Sequence, residues 1–89
     1  MRVEFLDKFN KDLIKIKNKN IFKDVSETIE NVELSSNVLS IKNIKKLKGY
    51  KNAYRIRIRD FRIGIFVADD TVEFARIVHR RDIYKEVFP

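Results

Sequence analysis

Residues 54–62 read Tyr-Arg-Ile-Arg-Ile-Arg-Asp-Phe-Arg, and their alternation decides the fold. A period of two is that of a strand with one buried and one open face. Tyr54, Ile56 and Ile58 take one face, and Arg55, Arg57 and Arg59 take the other. Asp60 marks a tight turn, so Arg62 lies just across it on a second strand that runs to about Ala68. Asp69 and Asp70 are turn formers and Thr71 to Val78 is rich in β-formers, which extends the hairpin into a three-stranded meander.

Upstream of the meander the period changes. Val3 and Phe5 alternate with Arg2 and Glu4 as in a short strand, after which Leu6, Phe9, Leu13 and Ile16 recur at three-then-four spacing. That spacing predicts an amphipathic helix. Lys17 to Asn20 is a polar break in which Asn20 is a candidate cap, and Phe22, Val25, Ile29 and Val32 then repeat the stripe in a second helix. Ser35, Ser36 and Asn37 signal a loop, and the run containing Lys42, Lys45, Lys46 and Lys48 ends at Gly49.

The predicted order is therefore β-α-α-β-β-β, with a short segment from Arg81 to Phe88 at the end. This is an α+β fold in which an N-terminal helical hairpin packs on one face of a mainly antiparallel, twisted sheet. No repeat or linker divides the chain, so residues 1–89 are read as a single domain. A chain of that length hides only about 60 to 68 percent of its extended surface on folding, which limits it to one core.

Composition narrows the chemistry. There is no Cys and a single His79, so disulfides, thiolate metal sites and a histidine zinc site are excluded, and no cofactor is implied. No apolar run approaches the ~18 residues of a membrane span, and a cytoplasmic location is expected by default. Lys and Arg number 20 against 13 Asp and Glu, giving a charge of +7 that favours anionic partners, nucleic acid first.

Arg55, Arg57 and Arg59 with Arg62, bordered by Arg76 and Arg80 on the last strand, concentrate guanidinium forks matched to phosphate oxygens. The competing reading is that their stems lie over the sheet and their heads pair with loop carboxylates. His79 is a candidate for proton transfer by residue type, and Tyr84 is suited to stacking on a base or to proton transfer.

Three spaced stretches, Lys46-Leu-Lys-Gly49, Tyr54 to Arg62, and His79-Arg-Arg-Asp-Ile-Tyr84, together resemble the pattern of the RelE/ParE toxin superfamily along essentially the whole chain. The resemblance implies the toxin of a type II toxin–antitoxin pair. In the RelE branch it implies a metal-independent endoribonuclease that cuts mRNA in the ribosomal A site and halts translation. Arg62, Arg80 and Tyr84 would then be catalytic. Arg55, Arg57, Arg59, Lys46, Lys48, Arg81 and His79 would contact RNA. A RelB-like antitoxin is the implied partner besides ribosome and mRNA, with operator DNA reached only through the antitoxin complex.

Two alternatives stay open, a ParE-like inhibitor of DNA gyrase and a catalytically decayed toxin kept as a partner of its antitoxin. Arg55 and Arg57 stand where some RelE enzymes carry lysine, and arginine does not exchange a proton. Asp60 and Phe61 replace the Gly and Tyr usual in the family turn.

Overall fold

The structure, a computed structural model, describes residues 1–83. Strand β1 (Arg2–Phe5) leads into helix α1 (Asp7–Lys15) and helix α2 (Lys19–Leu34), and a short 3-10 turn (Val38–Ser40) precedes strand β2 (Ile44–Lys46). Strands β3 (Ala53–Ile58), β4 (Phe61–Ala68) and β5 (Thr71–His79) form the expected meander. They lie in one sheet of order β1-β5-β4-β3-β2, antiparallel except where β1 pairs with β5.

The α+β arrangement holds, with one strand added. Strand β2 lies in the lysine run that reads as loop: its three residues are too few to show a period, yet Ile44, Lys45 and Lys46 pair with Ile56, Arg55 and Tyr54.

The helices cover one sheet face. Phe9 of α1 and Ile21, Val25 and Val32 of α2 meet Ile56, Ile63, Ile65, Phe74 and Ile77 in the main core. Phe9 and Phe74 touch edge to face with centroids 5.5 Å apart, a geometry that adds to their burial. The cap of α2 is Asn18 rather than Asn20: its Oδ1 accepts from the N–H groups of Asn20 and Ile21 at 2.9 and 3.2 Å. The buried stripe of α2 is correspondingly turned, so Ile21 is inside and Phe22 is 42% exposed.

The strand turns use left-handed residues. Arg59 (φ 51°) opens the turn between β3 and β4, and Asp69 (φ 55°) the one between β4 and β5. Asp at this conformation is favourable, whereas Arg is strained. Because Arg59 and not Asp60 carries the positive φ, the missing glycine at 60 costs the turn little.

The register of β4 and β5 shifts between Gly64 and Ile65: Gly64 faces Arg76 while Ile65 faces Phe74, so Ala75 is the extra residue of a bulge. Before the bulge Val72 and Phe74 point to the helices; after it Ile77 does. The bulge therefore turns Arg76 and Val78 to the opposite face. A second, smaller cluster lies on that face, where Leu47, Ala53, Ala75 and Ile83 are buried with Leu6, Phe66 and Val78 against them.

Helix α1 replaces β1 as the neighbour of β5 once β1 ends. Asp12 accepts from the Ile77 N–H at 3.1 Å and from Arg76 Nε and Nη2 at 2.7 and 3.1 Å. One carboxylate thus satisfies both an edge N–H and a largely buried guanidinium.

Candidate functional site

Cross-strand register places the cations of the face away from the helices. Arg57 on β3 stands directly opposite Arg62 on β4, and Arg62 opposite Val78 on β5. In the neighbouring row, Lys45 of β2 faces Arg55, which faces Gly64. Directly opposed residues bring their Cβ atoms to about 4.5–5.5 Å, where like charges are destabilising. The face holds two such pairs, Lys45–Arg55 and Arg57–Arg62.

Arg62 is half-buried, and its Nη1 donates to the carbonyls of Arg59 and Phe61 at 2.9 and 2.8 Å, which holds the guanidinium over the hairpin turn. Arg55 and Arg57 form no ion pair among the described residues. Arg80 is exposed in the turn after β5, and its N–H donates to the Asp60 carbonyl at 2.7 Å, so its backbone sits against the turn that carries Arg62. Arg81, next along, is exposed too, and its N–H donates to His79 Nδ1 at 3.2 Å.

Other residues expected on this surface lie elsewhere. Arg59 leaves the row of Arg55 and Arg57 because its left-handed backbone ends the alternation. Its Nε donates to Asp24 Oδ2 of α2 at 2.6 Å, on the helix side. His79 pairs with Phe61, whose ring packs on the main core, and the two rings meet at 5.8 Å. It therefore faces the helix side, away from Arg57 and Arg62. Lys46 closes a loop: its Nζ donates to the carbonyls of Tyr50 and Lys51 at 3.2 and 2.6 Å and lies 5.2 Å from the centre of the Tyr54 ring. Lys48 is exposed in that loop. Tyr84 lies outside the described residues, but Ile83 before it is buried on the arginine face.

The expectation that arginines pair with carboxylates is thus half met. Arg59 and Arg76 are bonded to Asp24 and Asp12, while Arg55 and Arg57 form no ion pair among the described residues. Lys45 escapes a reading by periodicity, since only the pairing of β2 with β3 reveals it. Among the described residues no group of three or more potential metal ligands occurs, and no helix is long and apolar enough to cross a membrane.

The fold is shared with a class of small toxins of toxin–antitoxin pairs. The family model for the ParE toxin of the type II toxin–antitoxin system matches residues 3–84. The chain is 43% identical to Toxin RelE3 of Methanocaldococcus jannaschii, with all of both chains covered. The toxin–antitoxin complex of RelB and RelE from Methanococcus jannaschii superposes with a TM-score of 0.79 at 43% identity, over 92% of this chain and 95% of that one. The complex RelBE2 from Mycobacterium tuberculosis gives 0.70 at 26% identity, over 91% and 92%. The chain belongs to the RelE/ParE toxin superfamily and is the toxin component of a type II toxin–antitoxin system.

Proposed function

We propose that the chain is a ribosome-dependent endoribonuclease that cuts mRNA in the A site and is held inactive by a RelB-like antitoxin. The observation that carries this reading is the pair of opposed like-charged positions, Lys45–Arg55 and Arg57–Arg62, on one sheet face. Such pairs cost stability unless an anion lies between them, and a phosphate backbone is the anion matched to several guanidinium forks at once.

In the proposed reaction a ribose 2′-hydroxyl attacks the adjacent phosphorus. The P–O5′ bond breaks, the 2′ proton goes to a base, the leaving 5′ oxygen takes a proton, and a 2′,3′-cyclic phosphate remains. Arg62, fixed at the turn by two carbonyls, and Arg80 beside it stabilise the charge that develops on the phosphoryl oxygens. Arg55, Arg57 and Lys45 hold the flanking backbone. With His79 facing the helix side, proton transfer falls to Tyr84 or to a group of the ribosome.

Purified protein, freed of antitoxin, is tested on programmed 70S ribosomes with the cut ends mapped. Arg62→Ala is expected to slow A-site cleavage about 10²- to 10³-fold. A folded wild type that makes no cut refutes the reading. The match to the ParE model favours gyrase inhibition as the second reading, and loss of supercoiling by gyrase in the same preparation establishes it.

A further inference from the structure

The turn at residues 59–61 holds the two arginines read as catalytic on three successive backbone carbonyls. Arg62 Nη1 donates to the carbonyls of Arg59 and Phe61 at 2.9 and 2.8 Å, and the Arg80 N–H donates to the carbonyl of Asp60 at 2.7 Å. A shift of this turn therefore moves both arginines together.

The turn is strained where it opens. Arg59 has φ 51°, a left-handed backbone that glycine adopts freely and arginine does not. Its side chain is 57% exposed, so burial does not offset the strain. What arginine adds over glycine is reach, for its Nε donates to Asp24 Oδ2 at 2.6 Å. Where β3 ends, α2 and the sheet are parted by a cleft of about 460 Å³, lined by Asp24, Glu27 and Asn31 on the helix side and by Asn43, Arg57 and Arg59 opposite. The bridge spans this gap, and among the described residues it is the ion pair that joins the turn to α2.

The helix end of the bridge is firmly placed. Asp24 sits within α2 beside Val25 and three residues after Ile21, both of which are buried in the main core. Packing of the helix thus sets the position of the carboxylate, and the bridge passes that position on to the turn.

We propose that Arg59 and Asp24 are a positioning pair: their bridge fixes the 59–61 turn against α2 and, through the carbonyls of the turn, sets where Arg62 and Arg80 meet the phosphate. This rests on the endoribonuclease reading given above. The bridge itself lies on the helix side, so the pair acts through Arg62 and Arg80 and not on the RNA. A solvent-exposed pair restrains by a factor of about five, so the effect on rate is smaller than the roughly 10²- to 10³-fold expected for loss of Arg62 itself.

The test is mRNA cleavage on programmed 70S ribosomes with kcat and KM resolved, beside urea unfolding of the same proteins. Arg59→Gly is expected to lower kcat about fivefold with KM within about twofold of wild type. Its unfolding midpoint should not fall, since relief of the left-handed backbone offsets the lost bridge. Asp24→Ala is expected to give the same loss of kcat, and it keeps the test valid if glycine loosens the turn by itself. The charge swap Asp24→Arg/Arg59→Asp should restore kcat to within about twofold of wild type, while each half alone stays slow. Aspartate suits the left-handed position, so the swapped turn is not penalised. Glu27→Gln, an exposed acid on the same cleft, should leave kcat unchanged.

A kcat within about 1.5-fold of wild type in folded Asp24→Ala overturns the proposal, as does a charge swap no faster than its halves. A raised KM with kcat kept in Arg59→Gly overturns it too, because Arg59 would then bind RNA directly. An equal loss in Glu27→Gln does the same by reducing the effect to helix charge. Cleavage that falls with Arg62→Ala but ignores Arg59→Gly and Asp24→Ala overturns the positioning pair alone, whereas a folded wild type that makes no cut refutes the endoribonuclease reading itself.

Discussion

Replacing Asp12 with alanine tests how α1 is fastened to the sheet. The carboxylate is 11% exposed and accepts from Arg76 Nε, Arg76 Nη2 and the Ile77 N–H, and the Arg76 side chain is itself 14% exposed. Removing one partner of a buried ion pair typically costs about 3–5 kcal/mol, and leaving an edge N–H unsatisfied about 1–3 kcal/mol. These costs overlap, neither group is fully buried, and Arg76 keeps a further interaction. A loss of about 2–4 kcal/mol is therefore expected. A domain of this size has roughly 4 to 13 kcal/mol of stability, so the change removes a substantial part of it.

With a urea m-value of about 1 kcal/mol per molar, the unfolding midpoint should fall by about 2–4 M. Asp12→Asn keeps an acceptor for the Ile77 N–H but loses the charge, and should lie between wild type and alanine. A double-mutant cycle with Arg76→Met should return a coupling above about 1 kcal/mol. A midpoint shift below about 0.5 M in Asp12→Ala, with no coupling to Arg76, would mean that apolar packing of Phe9 and Leu13 seats the helix and that the carboxylate is incidental.

Asn18→Ala should cost about 1 kcal/mol in urea unfolding through loss of the α2 cap, whereas Asn20→Ala should be nearly neutral; the opposite order would move the cap. At Arg59 a thermal melt should rank glycine above alanine by about 1 kcal/mol, since both lose the exposed bridge to Asp24 but only glycine relieves the left-handed backbone. Alanine melting at or above glycine would contradict that strain. Lys46→Met should speed amide exchange across residues 47–52 while leaving β4 protected and mRNA cleavage intact, and a loss of cleavage would return Lys46 to the RNA surface.

The meander is legible from residues 53–79 because each strand is long enough to show its period and each turn carries a charged or polar pair. The features that escape are short or depend on pairing. Strand β2 contributes a single apolar residue, Ile44, and exists because β3 offers an edge to it. In α2 both Ile21 and Phe22 fit the apolar stripe, and only the angle at which the helix meets the sheet selects Ile21. The bulge at Ala75 shows in the sequence only as a change of phase, from Val72 and Phe74 to Ile77, and it decides that Arg76 and Val78 share the face of Arg62 while His79 goes to the other. Arg59 continues the arginine alternation in sequence, but a positive φ at the turn sends its side chain to Asp24. A period of two thus identifies which residues alternate, and the breaks in the backbone decide where the alternation stops.

The same breaks sort the cations by role. Arg59 and Arg76 sit beside irregular backbone, at a turn and at a bulge, and each is matched to a helix carboxylate that fastens the hairpin to the sheet. Arg55 and Arg57 lie in unbroken strand and have no such partner among the described residues, while Arg62 opposes Arg57 in register. If the arginine surplus served only solubility, acids would be expected opposite these positions as they are at Asp12 and Asp24, because directly opposed like charges cost stability. Pairing Arg55 and Arg57 with introduced glutamates at Lys45 and Arg62 should then raise the urea midpoint of the protein. It should abolish cleavage as well, because Arg62 is removed and the new carboxylates occupy the guanidiniums of Arg55 and Arg57 meant for phosphate. A rise in stability with cleavage unchanged would show that this face is not where RNA is held.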